Sequence, residues 1–427
     1  MRISELYIYP IKSLRPVRVT EGLLTDLGFT YDRRFMLLKV TPDGNGGPSK
    51  MENMHISEFP QMALFHTTLE MSESFAGSNK VVVTYWPPSQ EDLTLTSAEG
   101  NQLDHQDKTV PSTSHASGTD RLEIQLVPDF LHLNPITVTM HKSSTTASDM
   151  GEKYNSWFSD RFGFPVVLAY LGPSTRNVLG NLTPTYPIRT SRWSEILGMS
   201  AIKSFNIPGH PLFRRLTAFV LCLLCWSSLP LDTKGLSIMA SISINVVGVI
   251  VMWIGMSIFL TILMNRHKAQ IGFADCAPLL VISQTSVDDA SSRVAEGPKV
   301  DLTKFRANVV ISGAKEAYEE DFWAELSVGE DNPGKVRLLL TGNCVRCRSL
   351  NVDFDKGKFT NKGNGNLFKR LMKDRRVDRG ARFSPVFGRY AFPERGAVGW
   401  TIRVGDEVRV LKTNTERTVT DWPGLAY

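Results

Sequence analysis

Apolar and polar residues alternate from the first residues of the chain. Ile3-Ser4-Glu5-Leu6-Tyr7-Ile8-Tyr9 follows a two-residue period, which predicts a strand ended by Pro10. Thr30-Tyr31-Asp32-Arg33-Arg34 is a polar corner leading into the apolar strand Phe35-Met36-Leu37-Leu38, and residues 1–69 read as short strands. The run from Thr41 to Pro48 has turn composition. Residues 71–121 are rich in Ser, Thr, Gly and Asp and predict a mobile surface loop, most of all over Pro111–Gly118. Ile136–Met140 predicts a strand. The period then changes: Tyr154, Trp157, Phe158, Arg161 and Phe162 recur at helical spacing over Asp149–Gly163, with Gly163 placed to cap the helix. Val166–Leu171 predicts a buried strand.

Residues 186–269 break this pattern. The run 216–231 is apolar, with Arg214 and Arg215 before it. Ile238 to Met264 is 27 residues without a charge, on the order of 40 Å as a helix and enough for a bilayer core of ~30 Å. Arg266 and Lys268 follow. One crossing or two fit this pattern: the basic flanks place both outer ends of a two-helix hairpin, its first crossing marginal in length, on the cytosolic side, whereas one crossing would separate residues 1–210 from 270–427. A buried core helix or a translated intron would give a similar pattern.

Beyond Gln270 short strands resume. Leu279–Ile282 and Val309–Ile311 predict strands, and Ser286–Val294 a helix capped by Ser286. Glu316–Leu326 is acidic and aromatic, with Phe322 and Trp323 packed. Lys369–Arg382 is a basic run that reads as a solvated helix or loop. Arg403–Val410 predicts a closing strand pair around Gly405-Asp406.

Composition adds few constraints. A chain of 427 residues can bury one large core or more, and a formal charge of +5 gives no support to nucleic-acid binding. Five cysteines do not form a disulfide framework and suit a reducing compartment. The opening residues lack the apolar stretch of a signal peptide. No glycine-rich phosphate loop, zinc-protease helix or Ser-His-Asp arrangement stands out.

The candidate chemistry centres on Asn343–Asp353, between a strand entering at Val336–Leu340 and one leaving at Leu350–Phe354. Cys344 and Cys347 are spaced C-x-x-C around Arg346, with Arg348 following. A thiol beside guanidinium groups is favoured as the thiolate, a ligand for soft or high-valent metals. A plain pair of cysteines at a strand end is the alternative. Cys222 and Cys225 repeat the spacing inside an apolar run and read as small hydrophobes. Lys12 and Ser13 on a loop suit a phosphate or a solvated turn. Arg33 and Arg34 suit an anion or a pair with Asp32.

Taken in order, these motifs resemble the MOSC family, and within it the amidoxime-reducing branch, mitochondrial and bacterial. Tyr9-Pro10-Ile11-Lys12-Ser13 and Asp32-Arg33-Arg34-Phe35 resemble its N-terminal β-barrel domain. Phe273–Pro278, Phe305–Asn308, Cys344–Cys347 and Ser384–Tyr390 resemble its MOSC domain. The fold so implied is α+β, mostly β: a MOSC β-barrel core with an N-terminal β-barrel domain and an inserted apolar helical membrane segment. The domains are 1–134 for the first barrel, 135–185 with 270–412 for the MOSC domain, and 186–269 for the insert.

The resemblance implies a molybdenum–pyranopterin cofactor. Cys347 matches the thiolate on molybdenum, and Tyr390 a tyrosine near the cofactor. Lys12, Ser13, Arg33, Arg306, Asn308 and Arg346 match residues that hold its phosphate and pterin. Asp275 and Cys276 match a cofactor loop. Cys276 and Ala277 stand where animal members carry a hydroxyl pair, so contact there is through the backbone. The implied activity is reduction of small N-hydroxylated substrates with electrons from cytochrome b5 and its reductase. The alternative is a cofactor or sulfur carrier of the MOSC sulfurase type. In those proteins a separate domain binds pyridoxal phosphate, so that label attaches only at the family level. A membrane-tethered binding protein without turnover is a third reading. The insert implies anchorage with the catalytic domain facing the cytosol, at the mitochondrial outer membrane or the endoplasmic reticulum.

Overall fold

The first strand, Arg2–Ile8, forms where the alternation places it and buries Ile3 and Leu6. It pairs antiparallel with Val17–Val19 on one edge and with Val309–Ser312, some 300 positions later, on the other. The N-terminus is thereby a member of an eight-stranded sheet. Its order is Val17–Val19, Arg2–Ile8, Val309–Ser312, Leu279–Ser283, Val386–Pro393, Val336–Val345, Trp323–Val328 and Val408–Thr413. One pairing in it is parallel, Leu279–Ser283 with Val309–Ser312. A parallel pair needs a crossover connection, and the helix Gln284–Ser292 lies in it. The structure, a computed structural model, describes residues 1–42, 49–72, 78–87, 120–184, 269–294, 299–329, 336–360 and 366–422.

A second sheet has five strands in the order Asn134–Met140, Ser143–Asp149, Val166–Tyr170, Phe35–Thr41 and Lys50–Asn53. A third joins Phe65–Glu70, Lys80–Tyr85 and Arg121–Gln125. Their inward residues share one core, with Phe35, Leu37, Phe65, Val81, Val83, Ile124 and Leu168 buried. The helix Glu152–Phe162 closes this core. Its Phe158 and Phe162 are inside, and Phe162 stacks on Phe65 with ring centroids 4.8 Å apart. Burying each such ring contributes ~1.5–3 kcal/mol. Gly163 ends the helix at φ 77°, its N–H donating to the Ser159 carbonyl. Residues 134–170 are thus hydrogen-bonded into the sheet of Phe35–Thr41.

Several expectations are corrected. Among the described residues the fold is mostly β with few helices, rather than the expected α+β fold, and no membrane-spanning helix is among them. The longest described helix, Glu152–Phe162, has 11 residues, a rise of ~16 Å against the ~30 Å of a bilayer core. Among the described residues no helix is long and apolar enough to cross a membrane. The apolar runs 216–231 and 238–264 lie outside the described residues, as does most of the 71–121 loop. Arg403–Val410 is not a strand pair. Thr401–Arg403 pairs with Glu21–Thr25 and Val408–Thr413 with Trp323–Val328, because a turn at Gly405, φ 95°, sends the two halves to different sheets. The helix read at Ser286–Val294 begins earlier, at Gln284, with Ser283 at its N-cap. Arg375, in the basic run read as solvated, is 3 % exposed because it bonds Asp321.

Candidate functional site

The strand Val336–Val345 delivers the C-x-x-C pair to its own end, and that is why the two thiols differ. Cys344 is still in the strand and buried beside Phe305 and Phe387. Cys347 lies past the strand, at the N-cap of the 3-10 turn Arg348–Asn351, and is exposed, with Sγ 3.1 Å from Ser349 Oγ. Arg346 between them turns inward. Its Nη1 donates to Cys344 Sγ at 3.1 Å and its Nη2 to the Lys304 carbonyl at 3.3 Å, while its Nε is buried without a partner.

The facing wall comes from the N-terminal barrel. Asp32 is buried and accepts from Tyr9 N–H at 2.8 Å, from Asn308 Nδ2 at 3.1 Å and from Arg33. Arg33 in turn donates to Asn308 Oδ1 at 3.0 Å and to the Arg306 carbonyl at 3.2 Å. The ring of Tyr9 carries two guanidinium groups, Arg306 at 4.5 Å and Arg33 at 4.8 Å from its centroid. Arg306 Nη1 donates to the Leu14 carbonyl at 3.0 Å, and its Nη2 is buried without a partner. Burial pushes the Arg306 guanidinium down to about 10. Ser13, Arg33 and Arg306 have φ of 70°, 47° and 55°. Non-glycine residues in this region cost ~1–3 kcal/mol each, and such strain collects at functional sites.

A third side is the loop through Asp275. Lys12, itself buried, forms an ion pair with Asp275, and His141 Nε2 lies 3.3 Å from the same carboxylate oxygen. Burial opposes ionisation of Asp275, but Lys12 and His141 hold its carboxyl well below the usual range. Arg176, 2 % exposed, fixes the loop by donating to the carbonyls of Gly272 at 2.9 Å, Asp275 at 2.6 Å and Ala274. Tyr390 enters from Val386–Pro393, which lies close against Leu279–Ser283 at Gly388, where a side chain would strike Ile282. Burial raises the Tyr390 hydroxyl well above its ordinary range, then the neighbouring Cys344 and Cys276 thiols add to it. The walls line a solvent-open cleft.

The family model described as MOSC N-terminal beta barrel domain matches residues 1–132, and that for the MOSC domain matches residues 268–409. The chain carries a MOSC N-terminal beta barrel domain and a MOSC domain. It is 37 % identical over 150 residues to mitochondrial amidoxime-reducing component 1 of Homo sapiens, covering 34 % of this chain and 40 % of that protein. It is 35 % identical over 140 residues to mitochondrial amidoxime reducing component 2 of Rattus norvegicus, 33 % of this chain and 38 % of that one. A molybdenum cofactor sulfurase of Emericella nidulans aligns over 431 residues at 25 % identity, 95 % of this chain and 41 % of that protein. The chain spans about two-fifths of the length of these curated relatives.

In this MOSC cleft, Lys12, Ser13, Arg33, Asp275, Arg306, Asn308, Arg346, Cys347 and Tyr390 all line the walls, gathered from both ends of the chain. Cys276 does not; it is 1 % exposed, and burial pushes its thiol far up. The cations are unequal. Lys12 is balanced by Asp275 and Arg33 by Asp32, whereas among the described residues no carboxylate bonds Arg306 or Arg346. Sequence reasoning missed His55 and Ser57 in the wall, and Asp32, His141 and Arg176 behind it. Asp32 stood open as an Arg33 partner; the histidines and Arg176 carry no local signal, because their neighbours come from other sheets. Among the described residues no group of three or more His, Cys, Asp and Glu gathers as a metal site.

Proposed function

We propose that the cleft holds a molybdenum–pyranopterin cofactor and that the protein reduces the N–O bond of small N-hydroxylated compounds. The observation carrying this reading is one exposed thiol, Cys347, beside two buried guanidinium nitrogens without acceptors, Arg306 Nη2 and Arg346 Nε. A buried donor left unmet costs ~1–3 kcal/mol, and an anionic ligand would remove that cost. The donor set fits a phosphate-bearing, thiolate-bound group. Arg306, Ser13 and Arg346 would hold its anionic portion, and Cys347 would ligate its metal. When bound, the group supplies two-electron redox chemistry at a thiolate-ligated metal.

The chain's own residues anchor and orient. Asp32 keeps Arg33 and Asn308 in place, and Arg176 holds the loop that carries Asp275. Electrons come from a separate redox protein, for which cytochrome b5 with its reductase is our proposal. Metal and pterin analysis of purified protein, with N-hydroxy reductase assays on wild type and Cys347→Ser, tests this reading. We expect molybdenum and activity in the wild type and loss of both in the variant. Molybdenum with full activity in Cys347→Ser would reject the ligand assignment.

A cofactor or sulfur carrier of the sulfurase type is the second reading, favoured by the alignment with a molybdenum cofactor sulfurase along 95 % of the chain. The accessible Cys347 would then carry a persulfide. Mass spectrometry finding an added sulfur on Cys347, with no reductase turnover, would decide for it.

A further inference from the structure

The turn that exposes Cys347 is framed by two segments. On one side, Arg348 lies over the ring of Phe359, its guanidinium carbon 4.9 Å from the centroid, and donates Nε–H to the Ser57 carbonyl at 2.9 Å. Asn351 ends that turn and accepts from the N–H groups of Thr360 at 3.0 Å and Phe368 at 3.1 Å. The helix Leu367–Leu371, with the exposed Lys369, is thereby held against it. On the other side, the N–H of Arg346 donates to the Pro385 carbonyl at 2.8 Å. This ties the segment carrying Arg382 and Phe383 to the residue before Cys347. Two aromatic rings stand out in water at this rim, Phe359 at 39 % exposure and Phe383 at 69 %.

The rim is positive. Arg348, Lys358, Lys369 and Arg382 are exposed, and among the described residues no carboxylate bonds any of them. The acids of the same stretch are mostly engaged. Asp378 is buried and accepts from Thr420, Asp374 pairs with Arg293, and Asp353 accepts from the N–H groups of Asp355 and Lys356. Uncompensated cations around exposed rings, at the mouth of a cleft, fit a partner that presents carboxylates. Arginine and aromatic side chains are the usual anchors of such contacts.

Reduction of an N-hydroxylated compound draws on outside electrons. The balance is R–NH–OH + 2 e⁻ + 2 H⁺ → R–NH₂ + H₂O: the N–O bond breaks, nitrogen and oxygen each take a proton from solvent, and the donor protein is oxidised. That donor has to bring its redox group up to Cys347, the exposed one of the two cleft cysteines. We propose that Arg348, Lys358, Lys369 and Arg382, with Phe359 and Phe383, form the docking face for the electron donor, a redox protein with carboxylates around the open edge of its redox group. The inference rests on the reductase reading above. Electron-transfer encounters are small and short-lived, and opposite charge speeds and orients them. An anionic membrane is the competing occupant. It would seal the mouth that donor and substrate share, and two exposed rings offer it little apolar surface to insert.

The test uses the full chain loaded with cofactor, as wild type, as a rim variant (Lys358→Glu with Arg382→Glu) and as a control of equal net charge (Lys315→Glu with Lys412→Glu). Turnover of an N-hydroxylated compound is driven in one arm by an acidic cytochrome b5 with its reductase. In the other arm it is driven by dithionite, which needs no docking face. With the protein donor, kcat/KM for the donor should fall ~10-fold in the rim variant. Wild-type turnover should slow as salt rises, and the rim variant's should not. With dithionite all three chains should match, with molybdenum content and melting temperature unchanged. Calorimetry with cytochrome b5 reads binding separately, and affinity should drop in the rim variant alone. A rim variant that keeps wild-type donor kinetics, salt dependence and affinity overturns the docking face and leaves the reductase reading intact. Loss of binding to anionic vesicles with donor kinetics unchanged does the same, as does an equal fall in the control. A wild type that reduces nothing with dithionite overturns both.

Discussion

Two sets of arginines lie around the strand Val336–Val345, and they are built differently. Successive strand residues face opposite ways, so Asn343 and Cys344 serve different sides. On the Asn343 side, Arg375 Nη2 meets both carboxylate oxygens of Asp321 at 2.8 and 2.9 Å, and Arg417 Nε meets Asp321 Oδ2 at 2.8 Å. Arg389 beside them bonds no carboxylate among the described residues and leaves Nε buried without a partner, but four oxygens accept from it: the Asp321 and Leu340 backbone carbonyls, each at 3.0 Å, and Asn343 Oδ1 and Thr418 Oγ1, each at 2.8 Å. On the Cys344 side, Arg346 and, across the cleft, Arg306 find among the described residues only carbonyls and a sulfur. A buried guanidinium that owns a carboxylate is complete as structure. One that lines a cleft without a carboxylate is complete only when an anion arrives.

That contrast can be broken at three points, in order of effect. Asp321→Ala removes the shared carboxylate and strands Arg375 and Arg417; denaturant unfolding should show a loss of ~3–5 kcal/mol, since a buried pair broken on one side leaves an uncompensated charge. A loss under 1 kcal/mol would make the two arginine sets equivalent.

Glu320, next to Asp321, is fully buried and accepts from Ser286 Oγ at 2.7 Å; burial pushes it up to about 7. A carboxyl whose folded value is raised holds its proton in the fold. Its contribution is therefore present below the ordinary 4.5 and is lost as pH rises through about 7. Stability should fall by ~3 kcal/mol across that window, and Glu320→Gln should flatten the curve. A wild-type curve already flat there would remove Glu320 from the account.

Arg306→Gln should be the mildest for the fold, changing unfolding free energy by under ~1 kcal/mol because no carboxylate is stranded. Loss of one charge-assisted contact of ~1.5–3 kcal/mol should weaken cofactor retention ~10–100-fold, read as molybdenum and pterin content after dialysis. Unfolding with retention unchanged would place Arg306 with the structural set.

Much of this was legible in local pattern. The helix at Glu152–Phe162 and its Gly163 cap, and the strands at Arg2–Ile8, Val166–Tyr170 and Leu279–Ser283, follow from periodicity and capping chemistry that neighbours in the chain supply. The residues of the cleft were legible as types: loop-borne Lys12, Arg33, Arg306 and Cys347. What could not be read was partnership. Lys369–Arg382 looks solvated because nothing nearby announces that Asp321 will bury Arg375. Arg403–Val410 looks like a hairpin because the sheets claiming its two halves are built from distant segments. His55, His141 and Arg176 are ordinary until Asp275 lies between them.

By itself, then, the sequence determined the mostly β periods, the family motifs and the set of cations and thiols on offer, because these depend on residue type and on neighbours within a few positions. Tertiary structure decided that Cys347 is open while Cys344 is closed, that Lys12 and Arg33 are balanced, and that Arg306 and Arg346 are not. Those outcomes depend on which groups lie within hydrogen-bond distance and how much water they keep. Residues 263 to 292 positions apart set both here, Lys12 with Asp275 and Leu14 with Arg306.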